Sequence, residues 1–232
     1  MKLSFVIPTY NEAGNIKELI SEIRSVCKEN KYSQEIIIVD DNSPDSTGLI
    51  AKKLGVRVLI RKDKRGLGSA YKDGFKLVSK NADAVIMMDA DLSHDPQEIP
   101  RFVNAINKGA EIAQGSRKIK GGKIEANWSP MRYLISYISS VITLPLTGIK
   151  DPNGSYKCIK TSALKKLKLE KTTDGFGFLI ELLYLANKQG IKITEVPITF
   201  KKRLAGESKL RFKEIKKNFK IYLNLYLDSL KK

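Results

Sequence analysis

Long apolar runs, cysteine, histidine and acidic residues are scarce in this sequence, and each scarcity excludes something. No stretch approaches the roughly 20 consecutive apolar residues that a membrane-spanning helix needs. Cys27 and Cys158 are the only cysteines, too few for a disulfide framework or a cysteine metal cluster, which points to a reducing compartment. Met1 and Lys2 run directly into a predicted strand at Leu3–Ile7, leaving no room for a signal peptide. The chain is therefore expected in the cytosol or on the cytosolic face of a membrane. No G-x-G-x-x-G follows that first strand and no G-x-x-x-x-G-K-[ST] occurs anywhere, which disfavours dinucleotide oxidoreductases and P-loop enzymes. A single histidine, His94, leaves little scope for histidine-based catalysis.

The acidic deficit is uneven. The chain has 42 basic and 25 acidic residues, a net charge of +17. Residues 201–232 carry 11 basic and 3 acidic side chains, so a local excess of +8 sits in the last seventh of the chain. That concentration suggests a polyanionic partner for the tail.

What is present is a regular alternation. At 232 residues and 42% hydrophobic, the chain can bury one sizeable core. Strands are predicted at Leu3–Ile7, Glu35–Val39 (EIIIV), Val56–Ile60, Ala84–Met88 and Glu111–Gln114. Helices are predicted at Ala13–Glu29, Ser46–Leu54, Gly68–Ser79 and from Pro96 to Ala105. Continuous Val/Ile runs mean strands covered on both faces, hence an α/β fold with a doubly wound, mostly parallel, Rossmann-like sheet. Ligands of such sheets bind beyond the carboxyl ends of the strands.

Polar residues gather at those ends. Pro8-Thr9-Tyr10-Asn11-Glu12 follows the first strand, Asp40-Asp41-Asn42-Ser43-Pro44-Asp45 the second, and Asp89-Ala90-Asp91 the central one. In extended chain, side chains two apart share a side. Two carboxylates so placed are costly unless a cation lies between them. Mg2+ or Mn2+, which prefer oxygen ligands, suit the pair; capping of the following helix by Asp91 is the alternative. A nucleotide with its metal accounts for three acidic strand ends in one crevice. Nucleic acid does not, because it would be repelled.

The segments VIPTYNE (6–12), VDDNSPDST (39–47), GLGSAYKDG (66–74), MDADLSHDP (88–96) and GSR (115–117) resemble the family-2 glycosyltransferases of GT-A fold. With EVPITFKKRLAGESKL (195–210) added, the likeness narrows to the dolichyl-phosphate mannose synthases. It covers Leu3 to about Leu210, and implies a catalytic domain over residues 1–212 followed by an appended helix, 213–232. The implied reaction moves mannose from GDP-mannose to dolichyl (polyprenyl) phosphate with inversion, giving a β-linked product. A UDP-sugar donor with a different sugar is the rival reading.

By the same resemblance, Pro8, Tyr10, Glu12, Val39, Asp41 and Ala90 bind the nucleotide sugar. Asp89, Asp91 and Ser93 hold the metal, and Arg203 and Lys209 reach the donor phosphates. Arg117, Arg132 and Ser136 grip the acceptor phosphate. A phosphate monoester loses its second proton at about pH 6, so this nucleophile is already anionic and needs no general base. His94 is expected to orient the metal loop.

The second half offers two amphipathic segments. Residues 130–148, with Pro145 inside, are too short to span and suit either a core helix or one lying in a membrane interface. From Lys213 on, Ile215, Phe219, Tyr222, Tyr226 and Leu230 form one helical stripe, widened by Leu223 and Leu227. Lys216, Lys217 and Lys220 lie at or near its margins. This C-terminal amphipathic helix suits docking on the core or on anionic lipid. The expected partners are the nucleotide sugar, the lipid phosphate, an anionic membrane surface and a small membrane-anchoring subunit, with no nucleic acid.

Overall fold

In the computed structural model, the described residues are 1–63, 66–203 and 212–230, with only the backbone described for 212–216. Lys209 and Arg65 lie outside them, as do the side chains of Ile215 and Lys216.

The apolar runs form the left half of one sheet. Strands β1 (Lys2–Thr9), β2 (Ser33–Asp40), β3 (Arg57–Ile60) and β4 (Ala84–Met87) pair in parallel in the order β3-β2-β1-β4. Helices α1 (Ile16–Glu29), α2 (Thr47–Lys53) and α3 (Leu67–Phe75) connect them. Two apolar clusters cover the two faces: Ile36 and Ile38 point into one, Ile37 and Val39 into the other. That is why β2 reads as an unbroken run rather than an alternation. The α1 stripe of Ile16, Leu19, Ile20, Ile23 and Val26 is buried as its spacing predicts.

The second half is less regular. After a 3-10 turn at Pro96–Glu98 come α4 (Ile99–Asn107), β5 (Ile112–Ser116), β6 (Lys123–Ile124), α5 (Pro130–Thr147) and β7 (Lys157–Lys160). Strand β7 runs antiparallel between β4 and β5, so the sheet is mostly rather than wholly parallel. Helices α6 (Thr161–Lys166) and α7 (Phe178–Lys188) follow. The stretch from Ile193 to Phe200, apolar and β-branched throughout most of its length, forms two strands: β8 (Ile193–Pro197) and β9 (Thr199–Phe200). Pro197 has no N–H to continue the ladder, so β8 ends the main sheet beside β5 while β9 crosses to pair with β6. The full order is β3-β2-β1-β4-β7-β5-β8.

The last helix, α8 (Phe212–Ser229), divides the predicted stripe. Tyr222 is buried, and the Tyr226 hydroxyl donates to the carbonyl of Ile142 on α5. Ile221 sits against Gly177, and Asp228 accepts from Tyr184 and Lys188 of α7, both at 2.7 Å. Phe219, Leu223, Leu227 and Leu230 stay on the outside, 47–78% exposed. Helix α5 likewise exposes Met131, Leu134, Tyr137, Ile138 and Val141. No helix among the described residues is long and apolar enough to cross a membrane.

Helix α3 lies close on the sheet because Gly74 has no side chain. A Cβ there would stand 2.3 Å from Val6 and 3.0 Å from Val39. Gly74→Ala is therefore expected to destabilise the fold by about 1–3 kcal/mol through overpacking, against a helix-propensity gain of about 1 kcal/mol. Urea denaturation checks the sign. A net gain in stability would mean that α3 rides further from the sheet.

Candidate active site

The carboxyl ends of β1, β2 and β4 open into a cavity of about 630 Å3, within the range usual for small-molecule sites. Pro8, Tyr10, Glu12 and Asp41 line one side, Asp89, Ala90 and Asp91 the floor, and Arg117, Arg132, Ser136 and Arg203 the other side. Eleven of the residues singled out from the sequence therefore share one wall. Two do not. Val39 is wholly buried in the core cluster beside Gly74, and Ser93 is wholly buried beneath Asp91. Neither lines the cavity: strand alternation turns Val39 into the sheet's packed face, and the Ser93 hydroxyl is spent on Asp91.

The strand-end loops are held in unusual backbone. Asn11, Asn42, Ser46 and Leu92 all have positive φ, and all four lie in these loops. Asn tolerates that region; Leu92, at φ 61°, pays for it. Its turn brings the Ser93 amide and hydroxyl back onto Asp91 Oδ1, at 3.0 and 2.5 Å. Asp91 Oδ2 accepts from Arg203 Nε at 2.9 Å. Asp89 Oδ1 accepts from the Ser155 hydroxyl at 2.6 Å.

His94 takes the role expected of it. It is buried, stacked on Tyr156 and edge-on to Phe200. Its Nδ1 accepts the backbone N–H of Asp89 at 3.1 Å, which leaves Nε2 as the protonated nitrogen. Burial pushes its pKa down, against the upward pull of Asp89 and Asp91, so it serves as a neutral brace.

Asp41 reaches the cavity in the grip of Arg61, a buried side chain that sequence reasoning overlooked. Arg61 donates through Nε at 2.7 Å and through Nη2, and also meets Ser69 and Asp73. The lone arginine at the end of β3 was the only signal. Asp40 and Asp45 turn away from the cavity: they bind Thr9 and Ser43, and Ala13 and Thr47, respectively, and so brace the loops. Glu181 accepts from the Thr173 amide and hydroxyl, a structural role.

Positive charge dominates the far side. Arg117 is tied to the buried Asp151 through its backbone N–H, Nε and Nη2 at 2.9, 2.7 and 2.6 Å. Arg132 lies 4.3 Å over the Trp128 ring, and Arg117 packs against the same ring. Burial first, then the charges of Arg203 and Arg117, disfavour the protonated form of Arg132, with Asp91 opposing. Guanidiniums that repel one another around a cavity make a site for an anion. Burial also pushes Lys157 down to about 7 and Lys118 to about 8.

The acidic floor fits one kind of cation. No group of three Asp, Glu, His or Cys side chains converges among the described residues. Two carboxylates suit a hard ion that takes one or two protein ligands and completes its shell with phosphate oxygens and water. They do not suit a closed all-protein cage.

The glycosyl transferase family 2 model matches residues 4–172. The chain is 42% identical over 223 residues to the dolichol-phosphate mannosyltransferase of Pyrococcus furiosus, covering 93% of this chain and 61% of that protein. It thus spans under two thirds of that relative's length. It is 36% identical to the polyprenol monophosphomannose synthase of Mycolicibacterium smegmatis, covering 88% of this chain and 79% of that one. Glucosyl-3-phosphoglycerate synthase from Mycobacterium tuberculosis, solved with Mn2+, uridine-diphosphate and phosphoglyceric acid, superposes with a TM-score of 0.72. The identity is 19%, over 98% of this chain and 78% of that chain. The overall architecture is therefore of the GT-A kind.

The Arg117–Asp151 pair gives a stability prediction. Burial alone would raise the Asp151 carboxyl, but Arg117 holds it below its ordinary value. A depressed carboxylate stabilises the fold above its unfolded pKa of about 3.9, and that stabilisation is lost as pH falls through the folded value. Asp151→Asn should cost about 3 kcal/mol at neutral pH, because it leaves a buried guanidinium without its counter-charge. The variant's melting temperature should begin to converge on wild type only below about pH 3.9, and meet it once pH has fallen through the depressed folded value of Asp151. A gap that persists at low pH would show that charge is not the cause.

Proposed function

The chain belongs to glycosyl transferase family 2, and from that premise we propose that it transfers mannose from GDP-mannose to the phosphate of a dolichyl or other polyprenyl phosphate. One observation carries the reading. The cavity joins a carboxylate floor at the strand ends to a guanidinium wall, and then runs out between Met131 and Ile135 of α5 and Phe219 of α8. A nucleotide diphosphate, a second phosphate and an apolar chain are the three ligand parts that this sequence of surfaces accommodates. Mannose is supported by the names of the two relatives above.

In this reading Pro8, Tyr10, Glu12 and Asp41 receive the nucleoside, with Asp41 held in place by Arg61. Arg203 meets the donor phosphates, with Lys209 assigned the same role by resemblance. Arg117, Arg132 and Ser136 orient the acceptor phosphate for in-line attack. Asp89 and Asp91 would hold Mg2+ or Mn2+, which supplies Lewis-acid stabilisation of the leaving diphosphate. The acceptor is a dianion for the most part above about pH 6, so deprotonation is no barrier and positioning is the main task. A single displacement inverts the anomeric centre.

The exposed faces of α5 and α8 suit the membrane surface where such an acceptor resides. Lys217 and Lys220 are exposed on α8, and each lysine near an anionic bilayer is worth about 1 kcal/mol. In this reading the chain is a peripheral enzyme on the cytosolic face of a membrane.

The reading is tested with a panel of labelled nucleotide sugars, dolichyl phosphate and Mg2+ or Mn2+, followed by extraction into organic solvent. Labelled mannose should enter the lipid phase from GDP-mannose, and Asp89→Asn or Asp91→Asn should reduce this at least about 100-fold while the fold survives. Label transferred from a UDP-sugar instead would reassign the donor, and no lipid product would end the proposal. Membrane docking has its own test. Phe219→Ser, Leu223→Ser and Leu227→Ser combined should abolish co-sedimentation with anionic vesicles at an unchanged melting temperature. A large fall in melting temperature with vesicle binding intact would place that face against protein.

A further inference from the structure

The turn between α5 and β7, Asp151-Pro152-Asn153-Gly154-Ser155, has nearly all its polar groups engaged. Asp151 holds Arg117, Ser155 donates to Asp89, and the Gly154 carbonyl accepts from Lys157 and Gln114. Asn153 is the exception, and only by half. Its Oδ1 accepts from the Ser139 hydroxyl of α5 at 3.0 Å, while its Nδ2 is buried with no hydrogen-bond partner. Asn153 lines the cavity.

That amide ends a hydrogen-bonded chain that begins on α8. Ser139 Oγ is also 2.7 Å from the hydroxyl of Tyr222 on α8. Ser139 has one proton, given to Asn153, so it must accept the Tyr222 proton. The chain then runs one way, from Tyr222 through Ser139 to Asn153 Oδ1, and it leaves the NH2 group as a donor. A buried donor without an acceptor is costly and calls for an explanation. Two more stand around the same cavity, Trp128 Nε1 and Ser136 Oγ, both buried and unpartnered. Three unused donors next to Arg117 and Arg132 match a group that only accepts, as a phosphate dianion does.

We propose that Asn153 contacts the acceptor phosphate through Nδ2, with Ser139 and Tyr222 as positioning residues that fix its amide. This rests on the reading of the cavity as a polyprenyl-phosphate glycosyltransferase site. It adds a specificity device to that site: α8, through Ser139, holds in place the donor that grips the acceptor. The guanidiniums supply charge, and the amide supplies direction, because its N–H needs an acceptor that a phosphate oxygen provides.

The test uses the full-length protein, a short water-soluble isoprenyl phosphate as acceptor, and separate titrations of donor and acceptor. Asn153→Asp replaces the donor with a carboxylate and should raise the acceptor KM about 100-fold or more, leaving the donor KM and the melting temperature near wild type. Tyr222→Phe removes only the hydroxyl that orients Ser139, and should raise the acceptor KM about 3- to 10-fold with kcat little changed. If Asn153→Asp fails to fold, Asn153→Ala and Tyr222→Phe carry the test. An effect confined to the donor KM would assign Nδ2 to the sugar and overturn the proposal. So would a lowered melting temperature with both KM values unchanged, which would make the chain purely structural. Wild-type protein that transfers no sugar to the isoprenyl phosphate would instead refute the underlying function.

Discussion

The buried pair of Arg117 and Asp151 is the interaction on which the site depends. Both side chains have left water, with side-chain exposures of 7% and 0%. Such a pair repays its desolvation only when its geometry is good and its remaining donors and acceptors are met. Here three N–H groups of one residue converge on one carboxylate. The backbone amides of Lys150 and Asp151 are in turn held by Glu195 of β8. The result joins the end of β5 to the turn after α5. That junction carries Ser155 to Asp89, and so connects the acidic floor with the basic wall.

Much of this was legible in the residues, for physical reasons that can be named. The unbroken apolar runs of β1, β2 and β4 announce strands buried on both faces, and the three polar clusters after them announce where a ligand would sit. Strand β7 gave no such signal. It reads KCIK, and its first lysine is wholly buried with its pKa pushed down to about 7. A lysine that burial drives toward the neutral form mimics an apolar core residue, and no pattern of hydrophobicity can find it. Arg61 was equally hidden, because its partners Asp41 and Asp73 lie 20 and 12 residues away in the chain. Spacing reports what one element does to itself, and both of these are encounters between elements.

The tail shows the limit of periodicity from another side. A helical stripe wide enough to include both tyrosines and leucines has two edges, and the spacing cannot say which edge meets the protein. Polar tips decided it. Tyr222 and Tyr226 each bring a hydroxyl that finds an acceptor or donor on α5, whereas the leucines have no use for one. Tyrosine suits a contact that is apolar along its length and polar at its end. The same helix is thereby left with a second, purely apolar face.

The antiparallel insertion of β7 has a consequence for how this fold could change over time. The cavity residues Pro8, Tyr10, Glu12, Asp41, Asp89 and Asp91 lie at the ends of parallel strands or on the loops that follow them. Those of the opposite wall come from positions 117 to 222, on α5, α7, α8, the turn leading into β7 and the segments that follow β5 and β9. On the cavity floor the two sets meet at Ser155 with Asp89 and at Arg203 with Asp91, and behind it at the pairing of β4 with β7. If the proposed roles hold, an ancestral gene could have exchanged one acceptor for another by rewriting its second half, while the first half went on serving the donor. Such an exchange would have had to preserve the β4–β7 pairing and the two contacts on the cavity floor.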